Sequence, residues 1–218
     1  MISVLLATHN GEKYLKYSIE SILNQTFKEI EILVGFNVTT DNSKSIIKSY
    51  NDNRIRIFDY DEKGKAKTLN KLIKETKFEW LAMQDDDDIW MPNKLEKQIN
   101  YINEYDVIGT FCNYIGATGN MVGSSKIKSL HDDIIPLSLG GDNQMVNSST
   151  IFKKKDILEI GGWQEDLDGI EDFDVWLKLM RKSKKFINVP EPLILHRLHA
   201  QSNFNTKQWD LQKILKNE

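Results

Sequence analysis

Apolar residues recur in two alternating rhythms through the first hundred positions of this chain. Ile2-Ser3-Val4-Leu5-Leu6-Ala7 is a short, nearly continuous apolar run, the pattern of a central strand buried on both faces. After the turn Thr8-His9-Asn10-Gly11, the residues Tyr14, Leu15, Ser18, Ile19, Ile22 and Leu23 fall at helical spacing. A second strand is predicted over residues 29–36, a helix over 41–50, and a strand with period-two alternation over 54–58. Residues 65–77 read as a helix with Leu69, Leu72 and Ile73 on its apolar side. A strand ending in four aspartates follows, and then a helix over 92–101.

Strands and helices that alternate through short connections point to βαβ units, hence an α/β fold built on a mixed, mostly parallel sheet flanked by helices. Ligands of such sheets sit beyond the carboxyl ends of the strands. Three polar clusters lie at those ends, at residues 8–11, 37–43 and 85–88, which predicts one composite pocket. The second half is less regular. Residues 106–116 and 145–153 look like strands, and the Gly-, Ser- and Asp-rich stretch 116–141 between them predicts a mobile loop. Gly161-Gly162-Trp163 reads as a turn, and residues 170–181 as a helix with Ile170, Phe173, Trp176, Leu177 and Met180 on one face. Residues 184–196 are predicted to be extended and interrupted by Pro190 and Pro192. Residues 1–205 are expected to form one domain. Residues 206–218, with Trp209, Leu211, Ile214 and Leu215 in a polar frame, are expected to form an amphipathic helix that packs on the domain or extends from it.

The 218 residues, 40% hydrophobic and 28% charged, suffice for a domain with a sizeable core. A net charge of −3 and a pI near 5.9 leave no electrostatic footprint for nucleic acid or an anionic membrane. A single cysteine, Cys112, excludes an internal disulfide and any cysteine-based zinc cluster, and its apolar setting predicts a buried structural thiol. The N-terminus carries no basic leader and no stretch reaches the length of a membrane span. The expectation is a soluble, cytoplasmic protein, with peripheral membrane association left open and the oligomeric state undetermined.

The chemistry concentrates at Asp85-Asp86-Asp87-Asp88, wedged between Trp80-Leu81-Ala82-Met83 and Ile89-Trp90. Four carboxylates between apolar segments are costly unless a cation joins them, and a hard divalent ion such as Mn²⁺ or Mg²⁺ suits oxygen ligands. An acidic helix N-terminus just before Pro92 is the competing explanation, although capping needs one carboxylate rather than four.

Several motifs, in order, resemble the inverting family 2 glycosyltransferases of the GT-A fold. Residues 4–15, Val-Leu-Leu-Ala-Thr-His-Asn-Gly-Glu-Lys-Tyr-Leu, look like the opening strand and turn of that family. Residues 21–27 and 31–34 are similar to its next stretch, and Gly64-Lys65-Ala66-Lys67-Thr68-Leu69-Asn70 to the segment before its acidic strand. Residues 84–98 resemble its DxD motif and following helix. Gly161-Gly162-Trp163 with Glu171-Asp172-Phe173-Asp174 resembles the segment that holds the catalytic base, and His196-Arg197-Leu198-His199 its Arg-x-His ending. One segment departs: Phe36-Asn37-Val38-Thr39 stands where the family usually has two acidic residues, Gly and Ser.

The resemblance implies a metal-dependent transfer of sugar from a nucleotide sugar, a UDP-sugar by preference, to a hydroxyl of a glycan or glycoconjugate. It implies Asp172 as general base with Glu171 orienting it or the acceptor. Asp87 is then the principal ligand of Mn²⁺ or Mg²⁺, Asp88 a secondary ligand or a loop-orienting group, and His199 completes the shell or meets the diphosphate. Asp85 is expected at the ribose or a metal-bound water, with Thr8 and Asn10 in the donor pocket, and Asp86 in solvent. Asn37 is expected to offer an amide to the nucleotide base, and Lys67 or Arg197 to offset phosphate charge. Two other readings remain open. A sugar-nucleotide nucleotidyltransferase would normally show a Gly- and Arg-rich loop after the first strand, which Thr8-His9-Asn10-Gly11-Glu12-Lys13 lacks. A degenerate, non-catalytic nucleotide- or glycan-binding module is motivated by the altered Phe36-Asn37-Val38 segment.

Overall fold

The computed structural model describes residues 1–167, 169–200, 202 and 211–216. Strands and helices alternate as the apolar rhythm predicts: β1 (Ile2–Thr8), α1 (Leu15–Leu23), β2 (Ile30–Asn37), α2 (Ser43–Lys48), β3 (Ile55–Tyr60), α3 (Lys65–Glu75) and β4 (Trp80–Gln84). The continuous run in β1 has a simple cause. Val4 and Leu6 face a core with Leu15, Ile19 and Ile22 of α1, whereas Leu5 and Ala7 face a core with Leu69 and Leu72 of α3 and with Trp176. Side chains alternate across a strand, so a sheet covered on both sides needs apolar residues at every position.

The chain continues through β5 (Ile89–Trp90), α4 (Lys94–Gln98) with a 3₁₀ turn at Ile99–Tyr101, β6 (Val107–Gly116), β7 (Met121–Ser124) and α5 (His131–Leu139). A second 3₁₀ turn at Asn147–Ser149 leads into β8 (Ile151–Lys153), α6 (Lys154–Glu159), α7 (Glu171–Arg181), β9 (Phe186–Leu198) and α8 (Gln212–Leu215). The strands line up as β3-β2-β1-β4-β8-β6-β9-β5, with β7 paired to β6. β1 runs parallel to β2 and β4, β2 to β3, and β6 to β9; the shorter pairings, including β4 with β8, are antiparallel. The register places Thr8 beside Phe36 and Leu6 beside Gln84, so three carboxyl ends open at one edge of the sheet.

The stretch 116–141 holds β7 and α5, the latter with Pro136 inside it. Two expectations for the second half change. Residues 145–153 are not one strand, because Ser149 and Thr150 bond back to Val146 and Asn147 and close a tight turn first. Pro190 and Pro192 do not end the last strand. β9 runs past both, and the register with β6 shifts around Phe111, opposite Pro192. Cys112 is buried, as its setting predicts. Trp209 and most of the expected C-terminal helix lie outside the described residues; the described part, α8, sets Ile214 against Leu167, Ile170, Phe173 and Leu177.

Val38, just after β2, adopts φ 49° while 40% of its surface is exposed. A β-branched residue there is strained, because its Cβ crowds the following carbonyl. Val38→Gly is therefore expected to raise the unfolding free energy in urea by about 1 kcal/mol, part of the 1–2 kcal/mol backbone penalty being returned as glycine's larger unfolded-state entropy. Val38→Ala keeps the Cβ and should gain clearly less; equal gains would contradict the backbone explanation.

Candidate active site

The three polar clusters meet. Thr8, at the end of β1, donates its hydroxyl to Asp86 Oδ2 in the turn after β4. The Thr8 carbonyl in turn accepts Asn37 Nδ2 from the end of β2 at 3.0 Å and Thr39 Oγ1 at 3.3 Å. Asn10 holds a left-handed backbone (φ 54°), and its Oδ1 accepts the amides of Thr40 at 2.8 Å and Asp41 at 3.3 Å. Beneath the acidic turn, Gln84 Nε2 donates to the Asp88 carbonyl at 2.8 Å, and Ser18 Oγ donates to the Asp85 carbonyl at 2.9 Å. These bonds hold the four aspartates in a tight turn, with each side chain sent to different partners.

Asp85 lies 2.5 Å from Lys65 Nζ and accepts Asn147 Nδ2 at 3.2 Å on each oxygen. Asp87 meets His199 Nε2 at 2.8 Å, and the His199 ring packs on Tyr14 with centroids 5.2 Å apart. Asp88 is fully buried: it accepts the Ser148 hydroxyl, His196 Nδ1 at 2.9 Å and the Arg197 amide at 2.8 Å. Lys65 also reaches across to Glu171 Oε1, 3.6 Å away at the start of α7. Glu171 is buried and accepts the Gly169 amide, and Asp172 is partly exposed beside it. Lys65 thus joins the acidic turn to the carboxylates that open α7.

Thr8, Asp85, Asp87, His199, Glu171 and Asp172 therefore border one region, and several other expected site residues have different surroundings. Asn37 is buried, and its amide nitrogen donates to the Thr8 carbonyl. Asn10 is exposed but ties the first turn to residues 40 and 41. Lys67 turns outward to Glu62 at 3.4 Å. Arg197 is buried, donates to the carbonyls of Asp87 at 2.9 Å and Gly116 at 3.2 Å, and lies 4.4 Å over the Tyr14 ring. Those partners make it a strut between the turn and the β6–β7 hairpin, since its fork is engaged by backbone. Asp88, with both oxygens satisfied inside the protein, has the surroundings of a loop-orienting group. Asp86 is not solvated as expected but held by Thr8.

Lys65 and Asn147 were not singled out by the sequence. One signal for Lys65 existed: it occupies the first position of α3, where the helix dipole disfavours a cation. A lysine there implies carboxylates close by.

Burial and the crowding of like charges shape the titration of the site. Burial, then Asp87, raise the Asp86 carboxyl to about 7, against the hydrogen bond from Thr8. Asp87 is also raised, first by burial and then by Asp88 and Asp85, although His199 counteracts them. Burial would raise Asp88 too, but the charge of His196 and the three hydrogen bonds bring it below the ordinary range. Burial opposes protonation of His196, yet Asp88 raises it to about 9. Asp172 rises to about 7 through burial and Glu171, with Lys65 pulling the other way. Lys65 itself, despite burial, is held well above the usual range by Asp85 and Glu171.

The donors around Asp87 fit a hard divalent cation. The Asp87 carboxylate and the His199 imidazole, which bond to each other at 2.8 Å, are ligand types such an ion takes, and a cation would offset the burial and the neighbouring carboxylates that raise Asp87. Among the described residues no three His, Cys, Asp or Glu side chains form a complete cage. That is compatible with Mn²⁺ or Mg²⁺, which commonly take one or two protein ligands and complete the shell with water and phosphate oxygens. No helix among the described residues is long and apolar enough to cross a membrane.

Known proteins share both sequence and fold with this chain. The family model described as glycosyl transferase family 2 matches residues 3–160. The O-antigen biosynthesis glycosyltransferase WbnJ of Escherichia coli is 31% identical over 210 residues, which cover 93% of this chain and 81% of that protein. The uncharacterized glycosyltransferase MJ1057 of Methanocaldococcus jannaschii is 32% identical over 213 residues, 94% of this chain and 73% of that one. Among solved structures, S. aureus TarS 1–349 in complex with UDP-GlcNAc superposes with a TM-score of 0.80 at 18% identity, over 98% of this chain and 63% of that one. The mannosyltransferase PcManGT from Pyrobaculum calidifontis, in complex with GDP-Man and Mn²⁺, gives 0.72 at 16% identity, over 93% and 58%. The chain thus spans less than two thirds of each of these solved chains, and the likeness to them is one of fold.

Two outcomes test the electrostatics. Asp88→Ala should destabilise the protein by about 2 kcal/mol, because it removes the acceptor of the buried Arg197 amide and of the half-buried His196; a loss below about 1 kcal/mol would contradict the structural role. Asp172 binds its proton more tightly folded (about 7) than unfolded (3.8), so its ionisation lowers stability as pH rises between those values. Asp172→Asn should therefore melt a few degrees higher than the parent at pH 8, with the gap closing below pH 4. A gap that widens toward low pH would show the opposite shift.

Proposed function

The chain belongs to glycosyl transferase family 2, and from that premise we propose that it moves a sugar from a UDP-sugar donor to a hydroxyl of a glycan or glycoconjugate, inverting the anomeric centre. The observation that carries this reading is the juxtaposition, through Lys65, of Asp85 in the acidic turn with Glu171 and Asp172 at the start of α7. A donor-side carboxylate and a carboxyl poised near neutrality are then joined through one ammonium. A base whose proton affinity lies close to the working pH is well matched to accept a hydroxyl proton as the new bond forms.

In this mechanism the acceptor oxygen attacks the anomeric carbon from the face opposite the diphosphate. Its proton passes to an oxygen of Asp172 while the glycosidic bond to phosphate breaks and the diphosphate leaves with the bonding pair. Glu171, fixed by the Gly169 amide, orients Asp172 and the acceptor. Asp85, fixed by Lys65 and Asn147, would accept the ribose hydroxyls or, with an ion bound, one of its waters. Asp87 and His199 would hold Mn²⁺ or Mg²⁺. Such an ion, when bound, supplies charge stabilisation to the departing diphosphate. Thr8 keeps Asp86 in place at the floor, and Arg197 keeps the turn against the β6–β7 hairpin. A uridine donor is favoured by the UDP-GlcNAc complex of TarS, and the GDP-Man complex of PcManGT makes guanosine the comparison to test.

Calorimetric titration of UDP and of GDP, each with and without Mn²⁺, decides the donor. Metal-dependent binding of UDP at least about tenfold tighter than GDP is expected, a difference near 1.4 kcal/mol. Tighter GDP binding would overturn the donor choice, and no binding of either would favour a degenerate module. Asp87→Ala should abolish the Mn²⁺-dependent part of UDP binding. Asp172→Asn should retain binding and lose transfer by a factor on the order of 10²–10⁴. The reverse pattern would refute the assigned roles.

A further inference from the structure

Lys65 sits where a cation is disfavoured. It opens α3, whose N-terminal dipole repels positive charge, yet its ammonium lies 2.5 Å from Asp85 and 3.6 Å from Glu171, with 23% of its side chain exposed. The residues it joins come from two separate parts of the fold, the turn after β4 and the start of α7. Three charged groups act on Asp172 most strongly: Glu171 on its own helix, Lys65 on α3 and Asp85 on the acidic turn. Two of these are negative and one is positive. Without the ammonium, three carboxylates would crowd one partly buried cleft, and such a cluster holds on to protons.

We propose that Lys65 is the positioning residue that sets the charge state of Asp172, linking the donor-side carboxylate Asp85 to the acceptor-side base. The inference rests on the reading of Asp172 as that base. Lys65 touches no reacting atom. Its ammonium is shared unequally between Asp85 and Glu171, so groups that engage Asp85, as a bound nucleotide sugar would, release positive charge toward α7. Donor loading and base ionisation are then coupled through one side chain, by a coupling that Lys67, turned outward to Glu62, does not provide.

The test reads Asp172 directly and then through catalysis. The carboxyl ¹³C resonance of Asp172 is followed against pH in the parent, Lys65→Met, Lys65→Arg and Asp85→Asn proteins. The parent should titrate at about 7. Lys65→Met should move the midpoint up by about one pH unit, a tenfold loss of ionised base below it. Lys65→Arg should restore the parent value. Asp85→Asn should move the midpoint down, a shift of opposite sign that stays readable if Lys65→Met fails to fold. An unmoved midpoint in either Lys65→Met or Asp85→Asn overturns the proposal. The acid limb of kcat/KM for sugar transfer should follow the same midpoints, with donor KM changing less than kcat. Midpoints that shift as stated while the acid limb stays put would uphold Lys65 as the residue that sets the charge of Asp172, and would instead refute Asp172 as the base.

Discussion

Four adjacent aspartates must fit between two apolar segments, and much of the site follows from how each one is compensated. Asp85 has Lys65 and Asn147, Asp86 has Thr8, Asp87 has His199, and Asp88 has Ser148, His196 and the Arg197 amide. These partners come from β1, α3, the turn before β8 and the end of β9, so satisfying the turn pulls distant parts of the chain to one place. Compensation is uneven. Asp88 is paired inside the protein and fixes the turn, whereas burial, and then the neighbouring carboxylates, leave Asp86 and Asp87 with a raised proton affinity. A cation, as proposed above, would relieve both causes.

The sheet makes this arrangement possible. β1, β2 and β4 run parallel and side by side, so their carboxyl ends open together. The antiparallel β8 then brings Asn147 and Ser148 alongside the turn, and β9 returns to deliver His196, Arg197 and His199. The proposed catalytic roles fall to side chains at strand and helix ends, held by a scaffold packed on both faces.

The sheet half of the fold was legible because apolar periodicity is a local signal: β1 to β4 and the helices between them lie where the spacing put them. The candidate site was legible in outline, since Asp85, Asp87, Glu171, Asp172 and His199 stood out by type and order, and the fold sets Asp85 and Glu171 on Lys65 and Asp87 on His199. Which atoms are free was not legible. Asn37, Lys67 and Arg197 have functional groups suited to a nucleotide, but their partners inside the protein, the Thr8 carbonyl, Glu62 and the carbonyls of Asp87 and Gly116, are set by tertiary contacts. Lys65 escaped notice for the same reason, because its two carboxylate partners are distant in sequence from it and from each other. The turn at Asn147–Ser149 and the passage of β9 through two prolines depend likewise on side chain-to-backbone bonds and a register shift that periodicity does not encode.

The central claim is that the turn at 85–88 and the start of α7 belong to one ligand site. Hydrogen exchange followed by mass spectrometry, with and without UDP and Mn²⁺, tests it most directly. The account predicts added protection in peptides covering residues 62–68, 84–90 and 169–173 together, with the α5 region unchanged. Protection confined to the turn, with residues 169–173 exchanging as before, would contradict a shared site and separate Asp172 from the donor.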